Sequence, residues 1–255
     1  MSNALYPTGG LRFWRQDEIH LRERIKATLV EGVQSSLLDL NQMWRFEEVD
    51  TPVLMPRSEF SCAYADDDVF TLRDQIAGQD FALRAETTIG SYLMADHLFR
   101  TAKIRAPFCV YTMGQSFRQE RSDGATAAKL RFNSFYQLEM QCIYSKPYIN
   151  EAGKQKGTTA PIAQTVREAL VPIVEKITGL PTRLIPSDRL PSYSVETIDI
   201  EVLWHSPTLA EPEWKEIAST SIRTDFPDVP GQDPYLVFEV AFGMDRMVAV
   251  TQGDV

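Results

Sequence analysis

The chain has 255 residues, 44% of them hydrophobic and 24% charged, with a net charge of −9 at neutral pH. That is enough apolar material for one large domain, and an acidic balance without a basic stripe argues against tight autonomous binding to nucleic-acid phosphates. No apolar run approaches the ~18–20 residues of a membrane span, and no signal peptide is visible. Cys62, Cys109 and Cys142 form no C-x-x-C pair, so neither structural zinc nor a disulfide framework is supported, and a cytoplasmic setting is expected.

Met1-Ser2-Asn3-Ala4 reads as a start followed by an expression scar. Residues 15–44 predict a long amphipathic helix, because Leu21, Ile25, Leu29, Val33, Leu37, Leu40 and Trp44 fall at spacings of three and four. Residues 46–55 predict an extended segment at an edge or interface, since Pro52 cannot donate to a ladder. A short strand at 80–84 and a helix at 86–100 follow, then strands at 108–113 and 116–120. Ser122-Asp123-Gly124 marks a turn in a loop running to Lys129. A long alternating strand is expected over 130–144, a loop over 146–159, and a helix over 162–178 ending at Gly179. Further strands are expected at 195–203, 214–220 and 235–242, with a short helix after Gly243. The pattern predicts an α+β fold, an antiparallel sheet flanked by helices, as a single domain over 1–255.

Alternation along 130–144 separates two faces. Leu130, Phe132, Ser134, Tyr136, Leu138, Met140, Cys142 and Tyr144 form a core face. Arg131, Asn133, Phe135, Gln137, Glu139, Gln141 and Ile143 form a polar one. Arg118 and Glu120 share a face on the preceding strand, so the hairpin can bring them beside Arg131, Phe135 and Glu139. Guanidinium forks match phosphate oxygens, a carboxylate can accept from an adenine amino group, and a Phe face can stack on the base. Arg outnumbers Lys by 18 to 8, which suits bidentate anion contacts. Glu239 lies in an otherwise apolar strand and needs a cationic or hydrogen-bonding partner if buried. Gly243 lets the chain turn so that Arg246 can reach back over the sheet. There is no phosphate-loop signature and no G-x-G-x-x-G fingerprint, so ATP would be held by side chains on a sheet.

Phe117-Arg118-Gln119-Glu120, a loop, then Leu130-Arg131-Phe132 and Phe135 resemble motif 2 of class II aminoacyl-tRNA synthetases. Phe242-Gly243-Met244-Asp245-Arg246 resembles motif 3. The first helix with Val49-Asp50-Thr51-Pro52 resembles motif 1, which builds the family's dimer interface. Leu83-Arg84-Ala85-Glu86-Thr87 resembles the loop that meets the substrate amino group. Phe135-Tyr136-Gln137-Leu138-Glu139, Asp199-Ile200-Glu201-Val202, Trp214-Lys215-Glu216-Ile217-Ala218, Arg223-Thr224-Asp225 and Phe238-Glu239-Val240-Ala241-Phe242-Gly243 make the glycyl enzymes the nearest likeness within the class.

The resemblance implies ATP-dependent activation of an amino acid, with glycine in view, and transfer to tRNA or another acceptor. It implies that Arg118 holds the α-phosphate and the amino-acid carboxylate. Glu120 would read the adenine amino group, Phe135 would stack on the base, and Arg246 would cover its other face or grip the γ-phosphate. Arg131 would lie near the β- and γ-phosphates, and Glu86, Glu139 and Glu239 would surround the substrate ammonium. ATP chemistry implies Mg²⁺, with Glu216 and Glu239 as candidate ligands. A homodimer through residues 15–55 is implied, with no membrane partner. The pattern departs at Ala241, where glycyl enzymes carry Ser next to the substrate, at Ala85, where Pro is usual, and at Asn133-Ser134, where motif 2 continues Arg-Glu. The family's anticodon-binding domain is expected to be absent, which weakens tRNA as a partner. Two other readings stay open: a decayed, dimeric binding or regulatory module, and a ligase acting on a non-tRNA acceptor.

Overall fold

The computed structural model describes residues 5–6, 11–38, 40, 43–60, 64–101, 103–120, 130–149, 152–158, 161–188, 190–205 and 210–252. Strands β1 (Leu5–Tyr6) and β2 (Leu11–Arg12) lead into α1 (Gln16–Leu38). Strand β3 (Arg45–Glu48), β4 (Leu54–Pro56), two 3₁₀ turns at Arg57–Phe60 and Asp66–Asp68, and β5 (Phe81–Leu83) precede α2 (Thr88–Arg100). Then come β6 (Phe108–Phe117), β7 (Ser134–Ser145), β8 (Tyr148–Ile149), β9 (Gln155–Lys156) and α3 (Ile162–Thr178). The chain continues through β10 (Thr182–Pro186), β11 (Ser194–Trp204), β12 (Glu213–Arg223), β13 (Tyr235–Gly243) and α4 (Met244–Gln252).

Seven strands form the main sheet, in the order β10-β11-β12-β13-β7-β6-β3. The fold is α+β, as expected, but the sheet is mixed: β3 runs parallel to β6 and every other pair is antiparallel. The parallel pair arises because the chain between them crosses over through β4, β5 and α2 rather than through a hairpin.

Alternation sets the two layers. On β7, Leu138, Met140 and Cys142 point into the main core, with Phe238, Val240 and Phe242 of β13 beside them. That face is covered by α1, α3 and α4, through Ile25, Leu29, Val33 and Leu37, then Val166 and Leu170, then Met247 and Val248. The opposite face divides in two. At one end α2 lays Tyr92, Ala95 and Phe99 over Phe108, Val110, Ile143 and Val237. No helix among the described residues covers the other end, which carries the cavity.

Several predicted boundaries shift for local reasons. Helix α1 stops at Leu38 rather than 44, where the Leu40 N–H closes a tighter turn on the Leu37 carbonyl. Trp44 is nevertheless buried in the same core. The strands expected at 108–113 and 116–120 are one strand, β6, whose ladder runs through Gly114 and ends at Phe117 opposite Ser134. Arg118 and Glu120 therefore lie beyond the strand. The strand expected from 130 begins at Ser134, because Leu130 has a left-handed backbone (φ 49°) that breaks the extended run. Strand β10 was not anticipated; it lies on the sheet's outer edge. The turn at 122–124 lies outside the described residues. No helix among them is long and apolar enough to cross a membrane.

Candidate active site

A cavity of about 380 Å³ opens on the uncovered half of the sheet. Its floor is the odd-numbered face of β7 and β13, which share a register with Ala241 opposite Glu139 and Glu239 opposite Gln141. All ten residues singled out from the sequence line it: Glu86, Arg118, Glu120, Arg131, Phe135, Glu139, Glu216, Glu239, Ala241 and Arg246. They are not one uniform surface. The cavity has an acidic end and a cationic end.

Glu86, Glu139 and Glu239 are all buried at the acidic end. Glu139 Oε2 accepts from the Thr87 backbone N–H (2.7 Å) and from the hydroxyls of Thr87 (2.6 Å) and Thr88 (3.1 Å). Glu239 Oε1 accepts from Thr88 Oγ1 (2.8 Å), Gln141 Nε2 (2.9 Å) and Arg223 Nη1 (2.8 Å). The cation that so buried a carboxylate requires is thus Arg223, itself 2% exposed. Burial opposes the charge on Arg223, yet Glu239 and its other anionic neighbours hold it firmly protonated.

Glu86 is the least satisfied of the three. Its Oε2 accepts from the Tyr64 hydroxyl at 2.7 Å. Its Oε1 is buried without a hydrogen-bond partner, with Arg223 Nη1 at 3.9 Å. Burial lifts its pKa to about 7; Arg223 pulls it down, while Glu139 and Glu239 push it up. The Glu139 carboxyl is likewise raised, by burial first and by Glu239 second, with Thr87 and Arg118 opposing.

The loop that carries Glu86 is fixed from below by Arg84. Arg84 donates Nε to the Gln115 carbonyl (2.7 Å) and Nη1 to Thr51 Oγ1 (2.6 Å) and the Thr51 carbonyl. Its guanidinium occupies the space a side chain at 114 would need: a Cβ on Gly114 would lie 2.2 Å from Arg84 Nη2. Gly114 therefore permits the buried Arg84, and Arg84 ties β5, β6 and the 51–52 segment beneath Glu86.

Arg118 joins the two ends. Its backbone N–H bonds the Asn133 carbonyl (3.0 Å), Nε bonds the Ala85 carbonyl (3.1 Å), and Nη2 bonds the Tyr64 hydroxyl (3.0 Å). The guanidinium lies between two rings, 5.2 Å from Phe135 and 5.4 Å from Tyr64. Burial works against its charge, but the anionic surroundings, Glu86 and Glu139 among them, hold its pKa above the ordinary value.

The cationic end is looser. The Arg131 side chain is 42% exposed, and Glu120 lies 3.9 Å away. Arg246 donates to the carbonyls of Leu130 (3.3 Å) and Glu216 (2.9 Å) and lies 3.4 Å from the Glu216 carboxylate. Asn133 Oδ1 accepts from the Glu120 N–H at 2.8 Å. The residue that departs from the motif 2 pattern thus holds the backbone of Glu120.

Glu216 reaches the cavity through a β-bulge. Ile200 pairs with Ala218 and Glu201 with Glu216, so Ile217 is skipped. Ile217 and Ala218 both enter the core, and Glu216 emerges on the side of Ser219 and Ser221. Glu216 and Glu239, the expected metal pair, both line the cavity. Glu239 faces Ser221, five positions along the chain from Glu216. Each has an arginine partner, Arg246 for Glu216 and Arg223 for Glu239. Among the described residues no group of three or more His, Cys, Asp or Glu could hold a metal.

No protein-family profile matches the chain. Its curated relatives include glycine–tRNA ligases. That of Corynebacterium glutamicum is 27% identical over 144 residues, which is 56% of this chain and 29% of the relative. That of Nocardia farcinica is 28% identical over 56% of this chain and 28% of its own length. The match thus spans less than a third of the relatives' length. Among solved structures, prolyl-tRNA synthetase from Cryptosporidium parvum, complexed with halofuginone and AMPPNP, superposes with a TM-score of 0.68 at 11% identity, covering 97% of this chain and 50% of that one. Giardia lamblia prolyl-tRNA synthetase in complex with prolyl-adenylate gives 0.67 at 13% identity, covering 96% and 48%. The fold is that of the class II aminoacyl-tRNA synthetase catalytic core.

Within this class II core, Tyr64 and Asp245 of the cavity lining, and Arg223, which pairs with Glu239, are not among the site residues that the sequence singles out. Tyr64 sits in an irregular loop, where alternation offers no facing rule. Arg223 lies in the Arg223-Thr224-Asp225 stretch that carries the resemblance, and Glu239's need for a cation points to such a partner. Asp245 follows Gly243 and looks like half of a surface Asp–Arg pair, but it is 2% exposed. Its Oδ2 accepts from the Tyr136 N–H (2.6 Å), and its partner is Arg12, 3.9 Å away, rather than Arg246. Burial raises its pKa to about 6, against the pull of Arg12.

Proposed function

We propose that the chain activates an amino acid, glycine foremost, by condensing it with ATP to an aminoacyl adenylate. The observation that carries this reading is the buried, unpartnered Glu86 Oε1 in the same cavity as Arg118. An α-amino acid carries one cation and one anion on a single carbon. Glu86 can accept from the ammonium, while Arg118 meets the carboxylate and the α-phosphate. A carboxylate oxygen then attacks the α-phosphorus, the bond to the bridging oxygen breaks, and pyrophosphate leaves. Arg118 would stabilise the charge that grows on the α-phosphoryl oxygens. In this reading Phe135 and Arg246 flank adenine, Glu120 accepts from its amino group, and Arg131 meets the outer phosphates.

The buried carboxylates favour a small substrate. Glu139 and Glu239 have partners of their own, so in this reading they fix the local field and line the pocket beside Ala241 rather than all binding the ammonium. Magnesium enters only as a companion of the triphosphate. A homodimer through 15–55 fits the position of β3 as one of the sheet's two edge strands. The acceptor is tRNA or, as a second reading favoured by the net charge of −9, a molecule other than nucleic acid.

Pyrophosphate exchange across the amino acids tests the activation step, with exchange expected for glycine. Folded protein that exchanges with none of them would remove the reading. Charging of total tRNA separates the acceptors: efficient aminoacylation rules out the second reading.

A further inference from the structure

Tyr64 belongs to the segment that follows β4 and folds over the acidic end. The segment has its own anchors. Arg57 Nη2 donates to the Tyr64 carbonyl (3.0 Å) and to Asp66 Oδ1 (2.8 Å), and the Gln119 N–H bonds the Asp68 carbonyl (3.0 Å). The phenol is therefore not what holds the segment in place. Its hydroxyl makes two bonds, both inside the cavity: it donates to Glu86 Oε2 at 2.7 Å and accepts from Arg118 Nη2 at 3.0 Å.

We propose that Tyr64 is a positioning residue for amino-acid activation, its hydroxyl fixing the spacing between the carboxylate that takes the substrate ammonium and the guanidinium that takes its carboxylate. One oxygen bridges both groups, so Glu86 Oε2 and Arg118 Nη2 lie within about 6 Å of each other. A second tie, Arg118 Nε to the Ala85 carbonyl, links the same two groups through the backbone. It fixes where the guanidinium sits but leaves the Glu86 side chain free to turn. Among the described residues the phenol makes the hydrogen bond that orients that carboxylate, so that Oε2 is occupied and Oε1, with Arg223 Nη1 3.9 Å away, is left for the ligand.

Burial and the neighbouring carboxylates push the Tyr64 phenol well above its ordinary pKa, so it remains a donor at any working pH. Donation favours the ionised form of Glu86. The other charged and titratable groups around Glu86 are Arg223, Glu139 and Glu239 from the sheet, Arg118, and the Tyr193 and Tyr92 phenols. None of these donates a hydrogen bond to Glu86 in place of Tyr64.

The inference rests on the proposed activation of an amino acid. The test is Tyr64→Phe, followed by glycine-dependent pyrophosphate exchange from pH 6 to 9. The KM for glycine is expected to rise about tenfold, as for loss of one hydrogen bond to a charged group, with kcat within about threefold. The acidic limb of kcat/KM should move to higher pH, because Glu86 loses a donor that favours its charged form. On a Glu86→Gln background the same substitution should add little, since its effect runs through Glu86. An unchanged KM and acidic limb in an active protein would overturn the role of Tyr64 alone. So would a Tyr64→Phe chain that fails to fold, since the hydroxyl would then be a folding element. A wild-type protein inert with every amino acid removes the activation reading instead.

Discussion

The two ends of the cavity are built on opposite principles. At the acidic end, three buried carboxylates are held by Thr87, Thr88, Gln141, Tyr64 and Arg223, with little exposed surface. At the cationic end, Arg131 and Arg246 are partly exposed, and their contacts to the carboxylates of Glu120 and Glu216 are long, 3.9 and 3.4 Å, although Arg246 also donates to the Glu216 carbonyl. The first end is preorganised, and its charges are expensive to disturb. The second is held loosely, so an incoming polyanion displaces little. The difference suits a small zwitterion at one end and a flexible polyphosphate at the other. It also predicts that substitutions should split into those that damage the fold and those that damage only binding.

The largest expected effect is on stability. Arg223→Met leaves Glu239 buried without its cation and should cost about 3–5 kcal/mol, measured by urea denaturation. A loss below 1 kcal/mol would mean that the acidic end does not depend on that pair. Next is Arg118→Ala, which should lower pyrophosphate exchange by about 10²–10³-fold in a protein that still unfolds cooperatively. A large drop in melting temperature with normal residual activity would contradict its role at the junction of the two ends.

A smaller effect concerns pH. The folded-state pKa of Glu86 is raised to about 7, so between its ordinary value and 7 the folded chain binds more protons than the unfolded one. Its contribution to stability therefore falls as pH rises through that window. Asp245, raised to about 6, adds a slope of the same sign. Glu86→Gln should flatten the decline in the denaturation midpoint between pH 4.5 and 7, and an unchanged slope would show that Glu86 does not titrate there. The smallest effect is at the exposed rim: Arg131→Ala should raise the KM for ATP less than about tenfold and leave stability within about 0.5 kcal/mol.

The same contrast decides how much could be read from the sequence. Strand alternation carries information wherever a ladder is regular. The split of β7 into Leu138-Met140-Cys142 and Gln137-Glu139-Gln141 follows from it, and so does the split of β13 into Leu236-Phe238-Val240-Phe242 and Val237-Glu239-Ala241. The site residues on regular strands were therefore legible by face, although Glu139 and Gln141 are buried rather than solvated. Legibility fails where side-chain bonds replace the ladder. Arg118 and Glu120 leave the strand because the carbonyl and side chain of Asn133 take their N–H groups. Glu216 faces the cavity only because Ile217 is skipped. Tyr64 hangs from a segment fixed by Arg57. Asp245 is buried by Arg12 and Tyr136, which are distant in sequence and near only once the sheet has formed.

The seam between β13 and β7 has one more consequence. It joins partners such as Gln141 and Glu239, 98 positions apart, and the cavity floor is made of both strands. Neither half of the chain contains a rudimentary version of the site. Contacts of such range close late, after the local helices and hairpins. Any ligand affinity of this cavity should therefore emerge all at once during refolding, and its first appearance would serve as a clock for the closing of that seam.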